Sequence, residues 1–174
     1  MPTYTQSWSP VTDGLLTFTN ISVNEVNVGS VEAFVATASQ PTIASGTEHG
    51  IQWNGFSTLT YGAESSQTLT FNYDVTSASG TELISSINSQ YVIDTLFGTN
   101  AHLVATANVY NLNGDLIGSQ YYSSDGVYPP ASTFIQAQQA VHVTVTISQF
   151  IDAGDTDSAI SASVFRPGLF NALN

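Results

Sequence analysis

The chain has 174 residues, 42% of them hydrophobic and a formal net charge of −12, which is enough for one substantial core with no shift in composition to mark a second. It has no lysine, no cysteine and a single basic residue, Arg166. That excludes binding to nucleic acid through phosphates, adhesion to anionic membranes, disulfides, thiolate metal sites and thiol catalysis.

Hydroxyls replace charge on the surface: 22 Ser and 21 Thr suit strands and turns and leave a neutral polar exterior. No apolar run approaches the roughly 20 residues of a membrane span, and Met1-Pro2-Thr3 opens no charged and apolar leader. Export therefore carries the expectation that a leader has been removed.

In chain order, residues 1–13 are rich in Pro, Ser and Thr but carry Tyr4, Trp8 and Val11, the composition of an arm or extension that docks elsewhere. Leu15 to Val23 begins as a strand whose alternation slips between Asn20 and Ile21, as a bulge would make it. Gly29 punctuates the next β-rich stretch, and Pro41, Gly46 and Gly50 mark a loop. Ile51 to Tyr61 is aromatic and β-rich, with Gly55 as a second bulge.

Two stretches alternate most strictly. Leu69, Phe71, Tyr73 and Val75 point one way between polar neighbours, and Val141, Val143, Val145 and Ile147 do the same between His142, Thr144 and Thr146. That period belongs to half-buried strands. Leu83 to Ile93 and Ala101 to Tyr110 alternate similarly, and Asn111-Leu112-Asn113-Gly114 is the clearest hairpin signal. Thr133 to Ala140 reads equally as a short strand or a helical turn, and Val141 to Ile151 is expected to form a terminal hairpin with Ala159 to Phe165.

The expected fold is all-β: an antiparallel β-sandwich, jelly-roll or Ig-like, of about nine or ten strands, because turn signals recur every 8–12 residues or so. The expected layout is an arm over residues 1–13, one sandwich domain over 14–170 and a tail over 171–174.

The runs QTLTFNYDVT (Gln67 to Thr76), LISSINSQYVID (Leu83 to Asp94), VHVTVTISQFID (Val141 to Asp152) and AISASVF (Ala159 to Phe165) resemble the exported β-domains of PEP-CTERM-type bacterial proteins. The similarity is to the domain; the Pro-Glu-Pro sorting tail is not in this sequence. The resemblance implies export and a place at the cell surface or in the extracellular matrix, and it supplies no shared catalytic residues.

Candidate sites are few. Asp152, Asp155 and Asp157 share one loop between strong strands, and flexible loop carboxylates suit calcium; a solvated acidic tip is the simpler reading. Otherwise no cofactor is expected. His102 and His142 fall on the outer faces of their strands as prospective cross-strand neighbours, and His49 is the third imidazole. Glu48 beside His49 invites a hydrolytic triad, but no Gly-x-Ser-x-Gly elbow accompanies it. Trp53, Tyr121, Tyr122 and Tyr128 are the aromatic candidates for stacking on sugar rings.

The favoured functional reading is a non-enzymatic extracellular structural protein. A chain without lysine lacks the usual guard for sheet edges, so Tyr4, Trp8 and Val11 would carry an arm that completes a neighbour's sheet in a fibre or biofilm matrix. The alternative is a carbohydrate-binding module of a secreted protein, with glycans as partners and calcium in support. Neither reading involves nucleic acid or membrane insertion.

Overall fold

The computed structural model describes residues 3–28, 31–33, 42–43, 49–53, 58–61, 65–92, 95–97, 101–124, 126, 133–151, 159–162 and 164–173. Among them there is no helix, so none is long and apolar enough to cross a membrane. The strands run β1 (Thr3–Ser7), β2 (Val11–Asp13), β3 (Leu16–Val28), β4 (Val31–Ala33), β5 (Thr42–Ile43) and β6 (His49–Trp53). Next come β7 (Thr58–Tyr61), β8 (Ser66–Ser77), β9 (Leu83–Val92), β10 (Thr95–Phe97) and β11 (Ala101–Tyr110). The last are β12 (Leu116–Ser123), β13 (Thr133–Gln138), β14 (Ala140–Ile151), β15 (Ala159–Ala162) and β16 (Val164–Leu173). Ten of these are five residues or longer, the number that the turn spacing predicts.

All pairings are antiparallel. A seven-stranded sheet has the order β1-β3-β8-β14-β11-β12, with β2 also on β3; a five-stranded sheet runs β13-β9-β16-β6-β5, and a four-stranded one β10-β15-β7-β4. The core lies between the first two. Leu69, Phe71, Tyr73 and Val75 of β8 and Val141, Val143, Val145 and Ile147 of β14 are buried with Ile51, Ile84, Ile87 and Ile135 from the five-stranded sheet. The fold is an antiparallel β-sandwich. Each fully buried Val, Leu or Ile contributes about 1.5–3 kcal/mol, so the alternation sets which face of the large sheet turns inward.

β14 is the middle of the large sheet. It pairs with β8 from Ala140↔Thr76 to Phe150↔Ser66 and with β11 from Tyr110↔His142 to Ala101↔Ile151. Both of its edges are therefore occupied, which is why the expected hairpin with Ala159 to Phe165 does not form. Those residues instead fall in β15, paired with β7 and β10, and in β16, paired with β6 and β9.

The two ends of the chain also depart from expectation. Within the expected arm, the described residues 3–13 lie on the protein's own sheet: β1 pairs with β3 from Thr3↔Val26 to Ser7↔Ser22, and β2 pairs with β3 from Val11↔Phe18 to Asp13↔Leu16. Trp8 and Val11 are half-buried against the core, so these two apolar groups are satisfied within their own chain. At the other end β16 runs on to Leu173, opposite Leu83, where a tail is expected. Thr133 to Gln138 resolves as strand β13.

Two local features follow the sequence. The bulge interrupts the β3–β8 register between Thr19 and Ser22, with Asn20 in the left-handed region at φ 52°. The β11–β12 turn has Gly114 at φ 86° and is organised by Asn111, whose Oδ1 accepts from the backbone N–H groups of Asn113 and Asp115, each at 2.9 Å. It is longer than a two-residue turn, because Tyr110 pairs with Leu116.

At Gly118 of β12 the packing leaves no room for a side chain, since an added Cβ would lie 2.4 Å from Ile135 Cγ2. Ile135 is β-branched and cannot swing away freely. Gly118→Val is expected to destabilise the protein by about 1–3 kcal/mol in urea unfolding. Deleting residues 1–13 is expected to lower the melting temperature by circular dichroism and to leave Trp8's site on the core uncovered; an unchanged melting temperature would mean that the segment contributes nothing to the sheet.

Candidate functional site

The alternation that buries one face of the seven-stranded sheet turns a hydroxyl- and amide-rich face outward. Cross-strand register arranges it in rows perpendicular to the strands. One row reads Asn108, Thr144, Asn72 and Ser22; the next reads Thr106, Thr146, Thr70 and Asn24. Short hydrogen bonds link neighbours within rows: Ser119 donates to Asn108 Oδ1 at 2.9 Å, Thr144 to Asn72 Oδ1 at 3.0 Å and Thr5 to Asn24 Oδ1 at 3.0 Å.

The row at the end nearest the Asn111–Gly114 turn differs from the others. It holds Tyr110 of β11, His142 of β14, Asp74 of β8 and Thr19 of β3, with the bulge residue Asn20 beside Thr19 reaching Asp74 through its side chain. His142 Nδ1 lies 2.7 Å from Asp74 Oδ1, and Asn20 Nδ2 donates to Asp74 Oδ2 at 2.7 Å. The Tyr110 and His142 rings are 6.2 Å apart and tilted at 37°. The pair is well solvated, with 42% and 37% side-chain exposure, so it adds little to stability and much to the shape of the surface.

Tyr110, His142 and Asp74 line an open groove of ≈ 480 Å³ walled by Leu112 and Gly114 of the turn. On the far side of Asp74, Asn20 lines a second depression of ≈ 600 Å³ together with Trp8, Pro10 and Ser22. Tyr110 on β11 and Asn20 on β3 thus stand at the two ends of a polar strip about 14 Å long, three strand spacings across the sheet.

The chain Asp74–His142–Thr144 has the order of an acyl-transfer relay, with Thr144 Oγ1 3.3 Å from His142 Nε2. Two features oppose that chemistry. The Thr144 hydroxyl hydrogen is committed to Asn72, and the N–H groups of β14 face partner strands on both sides, leaving no pair of donors for an oxyanion.

Of the aromatic candidates from sequence, Tyr121 does lie on this outer face, opposite Thr106 and 46% exposed. Tyr122 does not. It alternates to the other face and packs against the core, so the two tyrosines cannot share a ligand. Trp53 lies in β6 opposite Phe165, away from this sheet, and its side chain is outside the described residues, as is that of Tyr4 in β1. Tyr128, Glu48, Asp152, Asp155 and Asp157 lie outside the described residues altogether. Trp8 and Val11, expected to contact a neighbouring copy, face their own core and, for Trp8, the second depression.

His102 and His142 share the outer face but are not neighbours: His102 lies opposite Phe150 and stacks on it at 5.0 Å, at the other end of β11. Among the described residues no three His, Cys, Asp or Glu side chains come together around a common point. Tyr110, Asp74 and Asn20 are the site residues that sequence reasoning missed. Their outward positions are legible from the alternation, but their convergence depends on register across four strands.

No family model matches the chain, and no characterised protein matches it in sequence. Among solved structures it is similar to a carbohydrate-binding module of the β-sandwich superfamily studied for promiscuous specificity, with 14% identity and a TM-score of 0.33 over 90% of this chain and 57% of the other. It is also similar to TmCBM61 in complex with β-1,4-galactotriose, with 11% identity and a TM-score of 0.31 over 84% and 88% of the two chains. A third likeness is to VP2 of infectious bursal disease virus, with 15% identity and a TM-score of 0.38 over 86% and 33%. The chain thus spans 57% of the first of these and a third of the viral protein.

The strained bulge generates a stability prediction. Asn tolerates the left-handed region that Ala does not, and its amide also fixes Asp74. Asn20→Ala is expected to lower unfolding free energy by about 1–2 kcal/mol, and Asn20→Gly by less, in denaturant titration.

Proposed function

We propose that this protein is a non-catalytic glycan-binding domain that uses the outer face of its seven-stranded sheet, centred on Tyr110, His142 and Asp74. The observation that carries the reading is the groove itself: an aromatic ring beside a carboxylate, an imidazole and amide groups, at a volume of ≈ 480 Å³, within the range of small-ligand sites. A sugar ring presents an apolar face to an aromatic and hydroxyls to its edges. Tyr110 supplies the first contact, and Asp74, His142 and Asn111 supply acceptors and donors for the second.

The neutral polar rows that continue from the groove toward Tyr121 suit a longer, uncharged chain. A polyanionic glycan is disfavoured by the charge of −12.

The setting we infer is outside the cell, in an exported β-domain of the PEP-CTERM type. A chain whose one basic residue, Arg166, precedes Pro167 offers trypsin-like proteases little to cut. The fibre reading is less well supported, because the strand that was to be donated to a neighbour is already paired with β3.

Calorimetric titration with soluble neutral polysaccharides and affinity electrophoresis test the proposal. Tyr110→Ala is expected to weaken binding about tenfold or more, and Tyr121→Ala by less, since a central aromatic anchor outweighs a peripheral one. Absence of binding across a broad neutral glycan panel, or affinity unchanged in Tyr110→Ala, would remove this face from consideration.

A further inference from the structure

At one end of the large sheet's core face three polar side chains lie together: Glu25 and Asn27 of β3 and Gln67 of β8 are buried with 0%, 4% and 0% exposure. Asn27 and Gln67 are directly paired across the two strands, and Glu25 lies one inward position along. Both amide groups turn their nitrogens to the same carboxylate oxygen: Asn27 Nδ2 and Gln67 Nε2 donate to Glu25 Oε1, the latter at 3.3 Å. Three oxygens then remain without a hydrogen-bond partner among the described residues: Glu25 Oε2, Asn27 Oδ1 and Gln67 Oε1.

A buried carboxylate with two orphaned amide carbonyls is expensive unless something positive satisfies it. The chain has little to offer, having no lysine and a single arginine. One buried water donates only two hydrogens and cannot serve three acceptors. A cation can.

The geometry points to a calcium ion held by Glu25, Asn27 and Gln67 at the end of the core, between β3 and β8. Calcium takes carboxylate and amide carbonyl oxygens in irregular sets of six to eight or so and completes them with water, whereas magnesium demands a near-ideal octahedron. With one carboxylate among the ligands, affinity is expected in the range of extracellular modules, about 10⁻⁴–10⁻³ M. The bound ion would join two central strands and supply the charge that this end of the core lacks. The site is distinct from the Asp152, Asp155 and Asp157 loop and from the glycan groove on the opposite face.

The test uses the full chain stripped with chelator, then titrated with calcium chloride and followed by thermal denaturation and by metal analysis after gel filtration. The wild type is expected to hold one ion and to melt about 3–6 °C higher at calcium tenfold above its Kd. Glu25→Gln, which preserves shape, is expected to lose both the ion and the rise, and Gln67→Met to weaken calcium binding about tenfold or more. A folded wild type with no calcium and no rise would overturn the proposal. So would a rise retained in Glu25→Gln, which would place the ion elsewhere. If Glu25→Gln does not fold, the wild-type stoichiometry and the Gln67→Met titration decide the matter alone.

Discussion

The pairing of β14 on both of its edges is the constraint on which the rest depends. A strand with two antiparallel neighbours over nearly its whole length has no freedom of register, because a slip by one residue would expose Val141, Val143, Val145 and Ile147 and bury His142, Thr144 and Thr146. Once β14 is seated, β8 and β11 are held by complementary rows, and β3 and β12 follow outside them. The same arrangement withdraws the β14 backbone from any ligand. Chemistry on the outer face is therefore left to side chains alone.

Those side chains are mostly hydroxyls and amides that bond within their own rows, which makes the face pre-ordered and electrically quiet. Tyr110, His142, Asp74 and Asn20 break that uniformity where the bulge of β3 and the Asn111–Gly114 turn raise the rim. A carboxylate–imidazole contact so exposed contributes little stability, so its value lies in holding the two groups in fixed positions. The strained φ of Asn20 belongs to the same construction, since the residue that turns the chain is also the one that fixes Asp74.

The inner face shows the converse. Along β3 the apolar sequence Leu16, Phe18, Ile21 and Val23 gives way to Glu25 and Asn27 at positions equally buried. Alternation alone dictates that these two polar residues face inward, and their burial beside Gln67 concentrates unmet oxygen at one end of the layer. The sandwich thus carries polar groups on both faces of one sheet, for different physical ends.

Much of the architecture was legible in the residues. Period-two alternation identifies the long strands and their inward faces, the slip at Asn20 announces the bulge, and Asn113-Gly114 marks the turn, because each is a local property of a few consecutive side chains. Pairing is not local. Nothing within Val141 to Ile151 says that its edges belong to β8 and β11 and not to the chain that follows, and nothing in residues 1–13 says that they close their own sheet. The groove required four strands to be brought into one register, and the buried oxygens required β3 to lie beside β8. Composition and periodicity determined the kind of object, an acidic, hydroxyl-coated antiparallel sandwich; only tertiary structure decided which outward residues meet, since antiparallel partners are chosen by competition among all the strands at once.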